Sequence, residues 1–579
     1  MRLTYLALAL GVASAIACTG PTGAPPSGKP SAQNGTTAEA PPSRTMTMVV
    51  RYEVTDLAPK IPGSSSPVVT KRLFNASLAM VDAQGTARPY LAEALPQLNT
   101  DSWRVLPDGR METTYKLRPN LTWHDGRPLT ADDFAFAARV YTAPQLTIFT
   151  PNPQDRIDRV LAPDPRTVVI QWKLVYPDAG ALIYGDLDPL PRHILEGHMA
   201  ALEEGTMAPD AFVNLSFWTV DYIGAGPYRL DRWMQGSQFE STAFGGYALG
   251  RPKIDRVIVR VIGDENTTLS TVLAGNADFT ADFTLRFEHG VVLQREWEAS
   301  GKGKVVFKPS SSVSQMVQLR PEYVAHSGQL DARVRRALAQ TIDRDAINTG
   351  LFEGQGYTEA SLVPPTVSYY KDVEAVISKY PYDVRRSEQY MTEAGWVKDR
   401  DGFYVTASGD RFKTDVRVTA GPEFERGQAI LIDTWKRAGF EVTGSILAAA
   451  EARDREARQT FPGMASRGGG YEERSLTTAD IGSAVNRWTG DNRGGWSNAD
   501  YDRLFTEFAT TIDRAERTRI SVQMLKIISD EVPVYPMYLG LQVNTQVAGL
   551  SGPDPGTAGF ATLTPGTLPY WNIGNWQLR

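Results

Sequence analysis

The stretch SWRVLPDGRMETTYKLRPNLTWHDGRPLTADDFAFAARVY, residues 102–141, carries the densest structural signal in the chain. Apolar and polar residues alternate on both sides of Pro107-Asp108-Gly109, a turn sequence, and this pattern predicts a β-hairpin. Thr130 then caps a helix with Asp133 at its third position, a short-chain form of the capping box. The helix has an apolar stripe at 3.6-residue spacing, formed by Phe134, Ala137, Ala138 and Tyr141.

The same mixture of strands and helices continues along the chain. A Gly/Pro loop leads into a strand and turn at 224–244, and a further strand is predicted at 257–262. A helix follows at 267–273 and ends at Gly275. More helices are predicted in 330–356, 382–396 and 486–539, where Asp331, Asp343 and Asp383 are the N-caps and Pro533 is the last break. The predicted fold class is α/β, without internal repeats.

The N-terminus has the layout of a secretory signal peptide, residues 1–17. Arg2 precedes an apolar run that is shorter than the about 20 residues that span a bilayer. Cys18, the only cysteine, follows at once. Ala15-Ile16-Ala17-Cys18 resembles the bacterial lipobox, in which the cysteine carries lipid, although Leu usually stands where this chain has Ala15. Ordinary secretion after an A-x-A site, with Cys18 as a leftover thiol, is the alternative.

Composition limits the remaining possibilities. Residues 18–45 are rich in Gly, Pro, Ser and Thr, which predicts a disordered linker. The rest of the chain is long enough for a large core, and the overall apolar content is 42%. The net charge is −6 with both signs interspersed, so neither nucleic acid nor a polybasic lipid surface is indicated. One cysteine excludes a disulfide framework.

No catalytic or metal motif stands out. The chain has no GxSxG, HExxH or P-loop sequence. Trp123-His124-Asp125-Gly126 is interpreted as a turn with a hydrogen-bonded histidine. His193 and His198 are interpreted as a structural pair in a loop, since no third ligand accompanies them. The serine run at 311–314 is interpreted as a loop or strand edge. No cofactor and no metal are expected.

Eight motifs, in order and spacing, resemble the family-5 extracellular solute-binding proteins of ABC importers, which include oligopeptide, dipeptide and nickel receptors. They are YLAEAL (90–95), YKLRPNLTWHDGRPLTADD (115–133), GAGPY (224–228), LAGNADF (273–279), VRRALAQTIDRDAI (334–347), EAGW (393–396), GWSNADYDRL (495–504) and DEVPVYPMY (530–538). Each motif alone is weak, and their common register from about residue 48 onward makes the resemblance specific.

The resemblance implies a two-lobed, periplasmic-binding-protein-like fold. Lobe 1 would comprise 46–305 and 535–579, with an extra subdomain at about 71–184, and lobe 2 would comprise 306–534. The chain would cross between the lobes at two hinges. A ligand would bind in the inter-lobe cleft, and closure would present it to a membrane permease. The expected protein is a non-enzymatic monomer, exported and lipid-anchored on the outer face of the cytoplasmic membrane or in the periplasm.

The stretch SRGGGYEERSL (466–476) bears on the ligand. Peptide-binding relatives have Gly-Trp-x-x-Asp here, and the Asp carboxylate pairs with the peptide α-amino group. This chain has Gly470, Tyr471, Glu472, Glu473 and Arg474. The Trp is absent, Glu473 is the candidate replacement for the Asp, and Arg474 could neutralise it. An exposed charged loop without a role is the alternative.

The resemblance also implies other cleft residues: Tyr52, the loop Ser64–Pro67, Tyr222, Gly226, Tyr228 and Tyr538. For each aromatic, core packing is an equal alternative. A short peptide is the expected ligand, and another solute such as an oligosaccharide or a metal chelate is the first alternative. A sensory or chaperone-like lipoprotein and a surface hydrolase are more distant alternatives.

Overall fold

Helices and strands alternate throughout the part of the chain that the structure describes. This part, in the computed structural model, is residues 44–60, 68–146, 152–281, 283–358, 360–448, 451–554, 562–563 and 570–579. The α-helices within it are α1 Val68–Phe74, α2 Ala131–Tyr141, α3 Arg192–Glu203, α4 Pro209–Val213, α5 Glu265–Leu273, α6 Phe287–Leu293, α7 Ala332–Ala339, α8 Arg344–Phe352, α9 Tyr370–Val376, α10 Val384–Glu393, α11 Pro422–Ala438, α12 Ala499–Phe508 and α13 Arg514–Glu531.

The strands are mostly short. They are β1 Thr45–Val50, β2 Ala79–Val81, β3 Ala87–Pro89, β4 Trp103–Val105, β5 Met111–Lys116, β6 Ile157–Asp164, β7 Thr167–Trp172, β8 Tyr228–Met234, β9 Gln238–Ala243, β10 Arg256–Val261, β11 Phe279–Thr280, β12 Gly303–Val317, β13 Tyr357–Thr358, β14 Val397–Lys398, β15 Tyr404–Val405, β16 Lys413–Thr419, β17 Glu441–Leu447, β18 Met464–Gly469, β19 Val534–Val547, β20 Leu550–Ser551 and β21 Gln577–Leu578. β12 and β19 are the two exceptions, each more than twice the typical strand length of about 5–6 residues.

One large mixed sheet runs through the molecule. Its strand order is β17-β16-β18-β12-β19-β11-β1-β10-β9-β8, and β13 also pairs with β19. β1 is parallel to both of its neighbours, whereas β12 and β19 are antiparallel to each other. Such a mixture of parallel and antiparallel pairs, with helices between the strands, confirms the predicted α/β class.

The stretch at 102–141 folds as predicted. β4 and β5 form the hairpin, with Trp103 opposite Thr113, and they continue into a four-stranded sheet of order β4-β5-β7-β6. α2 begins after Thr130, whose backbone N–H donates to the Asp133 carboxylate at 2.9 Å. The predicted apolar stripe of α2 is buried. The local signals therefore decided this part of the fold.

The predicted caps of the later helices are also confirmed. The side chains of Asp331, Asp343 and Asp383 accept hydrogen bonds from backbone N–H groups in the first turns of α7, α8 and α10. Gly275 follows α5 with a φ of +75°, a left-handed conformation that glycine adopts without strain. The aspartate side chains thereby satisfy backbone N–H groups that have no partner within their own helix.

Two interpretations of short segments were wrong. The serine run at 311–314 lies inside β12, one of the central strands, and not at a loop or an edge. His193 and His198 lie on α3, and the His193 imidazole contacts the Asp125 carboxylate at 2.8 Å. The serine run is held by pairing with β19, and the His193 side chain by Asp125, both distant in sequence.

The buried side chains of the described residues form four cores. The smallest, the fourth, takes residues from 49–305 and Val543 of β19. The first core takes residues from 46–281 and 550–576. The second and third cores take residues from 287–541 and 316–563. We call α1–α5, β1–β11, β20 and β21 the first half, and α7–α13 and β13–β18 the second half. In the described ranges, no helix is long and apolar enough to cross a membrane.

Candidate functional site

β12 and β19 join the two halves through a single ladder with a break in its middle. They pair from Gly303↔Val547 to Met316↔Val534, and the register shifts between Pro309 and Ser311. Pro309 has no backbone N–H and so cannot donate a hydrogen bond to the ladder. A second shift follows between Val313 and Ser314. Register shifts of this kind bend and twist strands, so the pair changes direction where it passes from one half to the other.

The neighbours of this strand pair change at the same point. On the side of the break that contains Gly303 and Val547, β19 pairs with β11 of the first half through Gln546↔Phe279. On the other side, β12 pairs with β18 of the second half from Ser312↔Gly469 onward. Each long strand therefore belongs to the sheet of the first half at one end and to that of the second half at the other.

The halves also touch away from these strands. The Arg517 guanidinium on α13 donates to the Asp178 carboxylate of the first half, with Nη1 and Oδ1 2.9 Å apart. Arg156 of the first half donates through Nη1 to the carbonyl of Ala509 at 3.1 Å. These are charged contacts with one exposed partner, since the Asp178 side chain is 50% exposed. Such contacts can break and re-form without exposing a core.

Glu473 lies buried next to this contact. Its side chain is 1% exposed, and Oε1 accepts a hydrogen bond from the Ser521 hydroxyl at 2.7 Å. Burial raises the pKa of the Glu473 carboxyl, while the hydroxyls of Thr562 and Ser521 and the charge of Arg517 lower it in part. Among the described residues, no Lys or Arg lies within ion-pair distance of Glu473. A buried carboxyl without a cationic partner can accept a cationic ligand group.

The neighbours of Glu473 in sequence are placed differently. Tyr471 is buried in the third core, and its hydroxyl lies 3.1 Å from that of Tyr501. Glu472 is exposed, and Gly470 is partly exposed at the end of β18. Arg474 is exposed and pairs with Asp480 at 3.3 Å rather than with Glu473. The expected neutralisation of Glu473 by Arg474 is therefore wrong, because the two side chains point to different partners.

Three candidate residues of the first half are packed closely against their neighbours. Tyr222 is buried, and its hydroxyl donates to the Asn75 side chain. Tyr228 is fully buried at the start of β8. Gly226 is in close backbone contact, since a Cβ there would lie 2.4 Å from the carbonyl carbon of Phe74. Tyr222 and Tyr228 are therefore part of the first core, and Gly226 packs against the backbone of Phe74.

Tyr52 and Tyr538 are the remaining aromatic candidates. Tyr52 is 52% exposed just after β1, with the Arg51 guanidinium 5.6 Å from its ring centroid. Tyr538 is buried on β19, where its ring packs against Phe352 and its hydroxyl lies near the Glu423 carboxyl. Tyr52 is therefore exposed to solvent, and Tyr538 belongs to the long strand β19. Cys18 and the loop Ser64–Pro67 lie outside the described residues.

The turn at 123–126 is structural, as predicted. His124 is buried, and its two ring nitrogens lie 3.0 and 3.2 Å from the Gly226 carbonyl and the Gly224 N–H. Burial lowers the pKa of His124 to about 4, so the ring is neutral near pH 7. Among the described residues, no group of three His, Cys, Asp or Glu side chains is arranged to hold a metal ion.

A buried charged cluster in the first half had no sequence signal. Lys60 is 7% exposed and donates to the carbonyls of Asn152 and Gly185 and to the Gln154 side chain. Burial raises the pKa values of Asp186 and Asp188 to about 7 and lowers that of Lys60 to about 8. Sequence analysis also missed Asp178 and Arg517, which lie 339 positions apart. Only the tertiary structure brings these residues together.

The comparisons with known proteins agree with this architecture. Residues 93–492 match the family described as bacterial extracellular solute-binding proteins, family 5 middle. The oligopeptide-binding protein AppA of Bacillus subtilis is 24% identical over 496 residues, which are 82% of this chain and 84% of AppA.

Two solved structures have a similar fold. The oligopeptide-binding protein of Thermus thermophilus, complexed with a pentapeptide, superimposes with a TM-score of 0.70 at 21% identity, covering 92% of this chain and 96% of that one. NikA of Brucella suis, in complex with Fe(III)-EDTA, has a TM-score of 0.70 at 18% identity, covering 92% of this chain and 100% of NikA.

Proposed function

Because this chain belongs to family 5 of the bacterial extracellular solute-binding proteins, we propose that it is the ligand-binding component of an ABC importer. Its fold is the two-lobed α/β fold of that family, which consists of binding proteins and not of enzymes. The proposed ligand is a short peptide, held between the halves and delivered to a membrane permease after closure. The partners are therefore the ligand and the permease, and the receptor acts as a monomer.

The observation that carries this proposal is the strand pair β12 and β19. A pair of long strands that crosses from one core to another, with a register shift at Pro309, gives two connected halves that can rotate. The proposed boundaries are 46–305 and 535–579 for lobe 1, with a subdomain at about 71–184, and 306–534 for lobe 2. Peptide as the ligand is supported by AppA, an oligopeptide-binding protein, and by the Thermus protein complexed with a pentapeptide.

Glu473 is the proposed anchor of the peptide α-amino group. Its carboxyl is buried, accepts hydrogen bonds from the hydroxyls of Ser521 and Thr562, and is close to the Arg517–Asp178 contact between the halves. A ligand ammonium would supply the missing cationic partner in a dry environment, where a charge-assisted hydrogen bond is worth about 1.5–3 kcal/mol. Ligand contact is also proposed for the exposed or partly exposed candidates Tyr52, Gly470, Glu472 and Arg474.

Membrane attachment through lipid on Cys18 is part of the proposal. A receptor held by residues 18–45 on the outer face of the cytoplasmic membrane stays near its permease. The order of the apolar run, Ala17 and Cys18 supports lipidation. Release into the periplasm after ordinary cleavage is the alternative.

Native mass spectrometry of the purified protein, followed by calorimetry with the identified solute, tests the proposed function. A bound peptide at one per chain is the expected result. A metal chelate or an oligosaccharide would retain the receptor function and change the ligand class; the match to the NikA structure with Fe(III)-EDTA makes the chelate worth testing first. An uptake assay in cells with and without the permease separates an importer receptor from a sensory lipoprotein, which would give equal uptake in both.

A further inference from the structure

Two segments of the first half carry contacts to the second half. Arg156, in the segment 152–156, donates through Nη1 to a backbone carbonyl of the second half at 3.1 Å. Asp178, in the segment 175–188, accepts a hydrogen bond from Nη1 of Arg517 at 2.9 Å. We call 152–156 and 175–188 the contact segments. Their position decides whether Arg156 and Asp178 meet their partners across the halves.

A single buried amine is bonded to both contact segments. The Nζ of Lys60 donates to the carbonyl of Asn152 at 2.8 Å and to the carbonyl of Gly185 at 3.1 Å. It also donates to the side-chain oxygen of Gln154. An ammonium has three N–H donors and no acceptor, so these three oxygens match its donors in number. Lys60 therefore links the two segments through one nitrogen atom.

The Gln154 side chain closes this set of bonds into a ring. Its Oε1 accepts from Lys60, and its Nε2 donates to the carbonyl of Asp186 in the other contact segment. Arg156 also donates to the carbonyl of Val175. The contact segments are therefore bonded to each other directly as well as through Lys60. Such a network of satisfied partners fixes one segment relative to the other.

Burying the Lys60 amine has a cost that these bonds offset. The residue is 7% exposed, and the charges of Asp155, Asp186 and Asp188 favour its charged form. A buried charge is costly unless hydrogen bonds and counter-charges compensate it, and an apolar side chain would avoid that cost. What the ammonium provides and an apolar side chain lacks is the set of directed bonds to both contact segments.

We propose that Lys60 is a positioning residue for closure of the halves. Its ammonium holds the two contact segments in the arrangement in which Arg156 and Asp178 meet the second half. The three bonds of Lys60 lie within the first half, so it acts on the second half only through these segments. This inference rests on the proposed receptor function, because closure matters only if a ligand is captured between the halves.

Hydrogen exchange of the full folded protein, free of solute, reads the contact on both sides. It is measured at pH 7, where the Lys60 amine, with a pKa of about 8, is charged. Lys60→Met keeps a long side chain and removes all three donors. Gln154→Met is a milder second variant that breaks the ring at one member. Ser241→Ala is the control, because it removes a buried donor of the first half, bonded to the Val257 carbonyl at 3.0 Å, outside the contact segments.

The Lys60→Met variant should exchange faster in the contact segments and also in residues 507–517 of the second half, which lose their partners. Calorimetry with the co-purified solute should show a dissociation constant raised about fivefold, the equivalent of about 1 kcal/mol. Gln154→Met should shift both measurements in the same direction by less. The Ser241→Ala control should change neither the exchange of 507–517 nor the affinity.

Faster exchange confined to the first half would overturn the inference, because Lys60 would then stabilise only its own surroundings. Faster exchange in both halves with an unchanged affinity would overturn the role in closure. If Lys60→Met does not fold, Gln154→Met decides by the same two criteria. Absence of any bound solute from the unaltered protein refutes the proposed receptor function instead, and the exchange of 507–517 still decides whether Lys60 positions the contact.

Discussion

Replacing Asp178 by Ala should weaken the contact between the halves and favour the open state. Asp178 and Arg517 are 2.9 Å apart across the halves, and two unit charges about 4 Å apart attract by about 4 kcal/mol at an effective dielectric of 20, and by about 1 kcal/mol in water. Arg517 is nearly buried but Asp178 is 50% exposed, so solvent screening reduces the value. A loss of about 1–2 kcal/mol is expected, which corresponds to roughly 5- to 30-fold.

If the ligand binds the closed state, that loss appears in the affinity. Calorimetry with the co-purified solute should show a dissociation constant raised by this factor, and small-angle scattering should show a larger radius of gyration in the free protein. Asp178→Asn retains a hydrogen-bond acceptor and should have a smaller effect. Asp158→Ala, at a side chain 52% exposed that pairs with adjacent Arg159, is the control. An affinity and a radius equal to those of the control would refute the reasoning.

Three further predictions concern single residues. Glu473→Gln should weaken peptide binding more than tenfold if Glu473 anchors an amine; unchanged calorimetry would remove that role. Asp188 has a folded pKa of about 7, above its ordinary 3.8, so its contribution to stability is present at low pH and lost as pH rises toward 7. Asp188→Asn should therefore stabilise the protein by up to about 4 kcal/mol in urea unfolding at pH 8 and hardly at pH 4; equal effects at both would contradict this. Cys18→Ser should abolish sedimentation with membranes. A variant that still sediments with membranes would refute anchoring through lipid on Cys18.

Signals that act over a few residues predicted the local structure correctly. The hairpin around Asp108-Gly109 depends on a turn, and the helix after Thr130 depends on one reciprocal cap. Both are settled by residues within four positions of each other. The serine run at 311–314 lacked such a signal, because its strand is fixed by β19, more than two hundred positions away. A polar composition then suggested a loop where the chain forms a central strand.

The site was harder to predict for the same reason. Burial decides whether an aromatic or acidic side chain packs inside the protein or contacts solvent, and burial depends on the tertiary structure. Tyr222 and Tyr471 looked equivalent to Tyr52 in the sequence, yet the first two are buried and Tyr52 is half exposed. Glu473 was found through its motif, whereas its burial beside Ser521 could not be read from the sequence. The Asp178–Arg517 pair has no motif at all, because its two residues lie 339 positions apart.

The central claim is that one solute binds between the halves and draws them together about β12 and β19. Small-angle scattering of the same preparation, first stripped of its solute by unfolding and refolding and then reconstituted, measures this directly. The radius of gyration should fall when one equivalent of solute is added, and return when it is removed. Binding at one equivalent with no change in the radius would contradict closure as the mode of ligand capture.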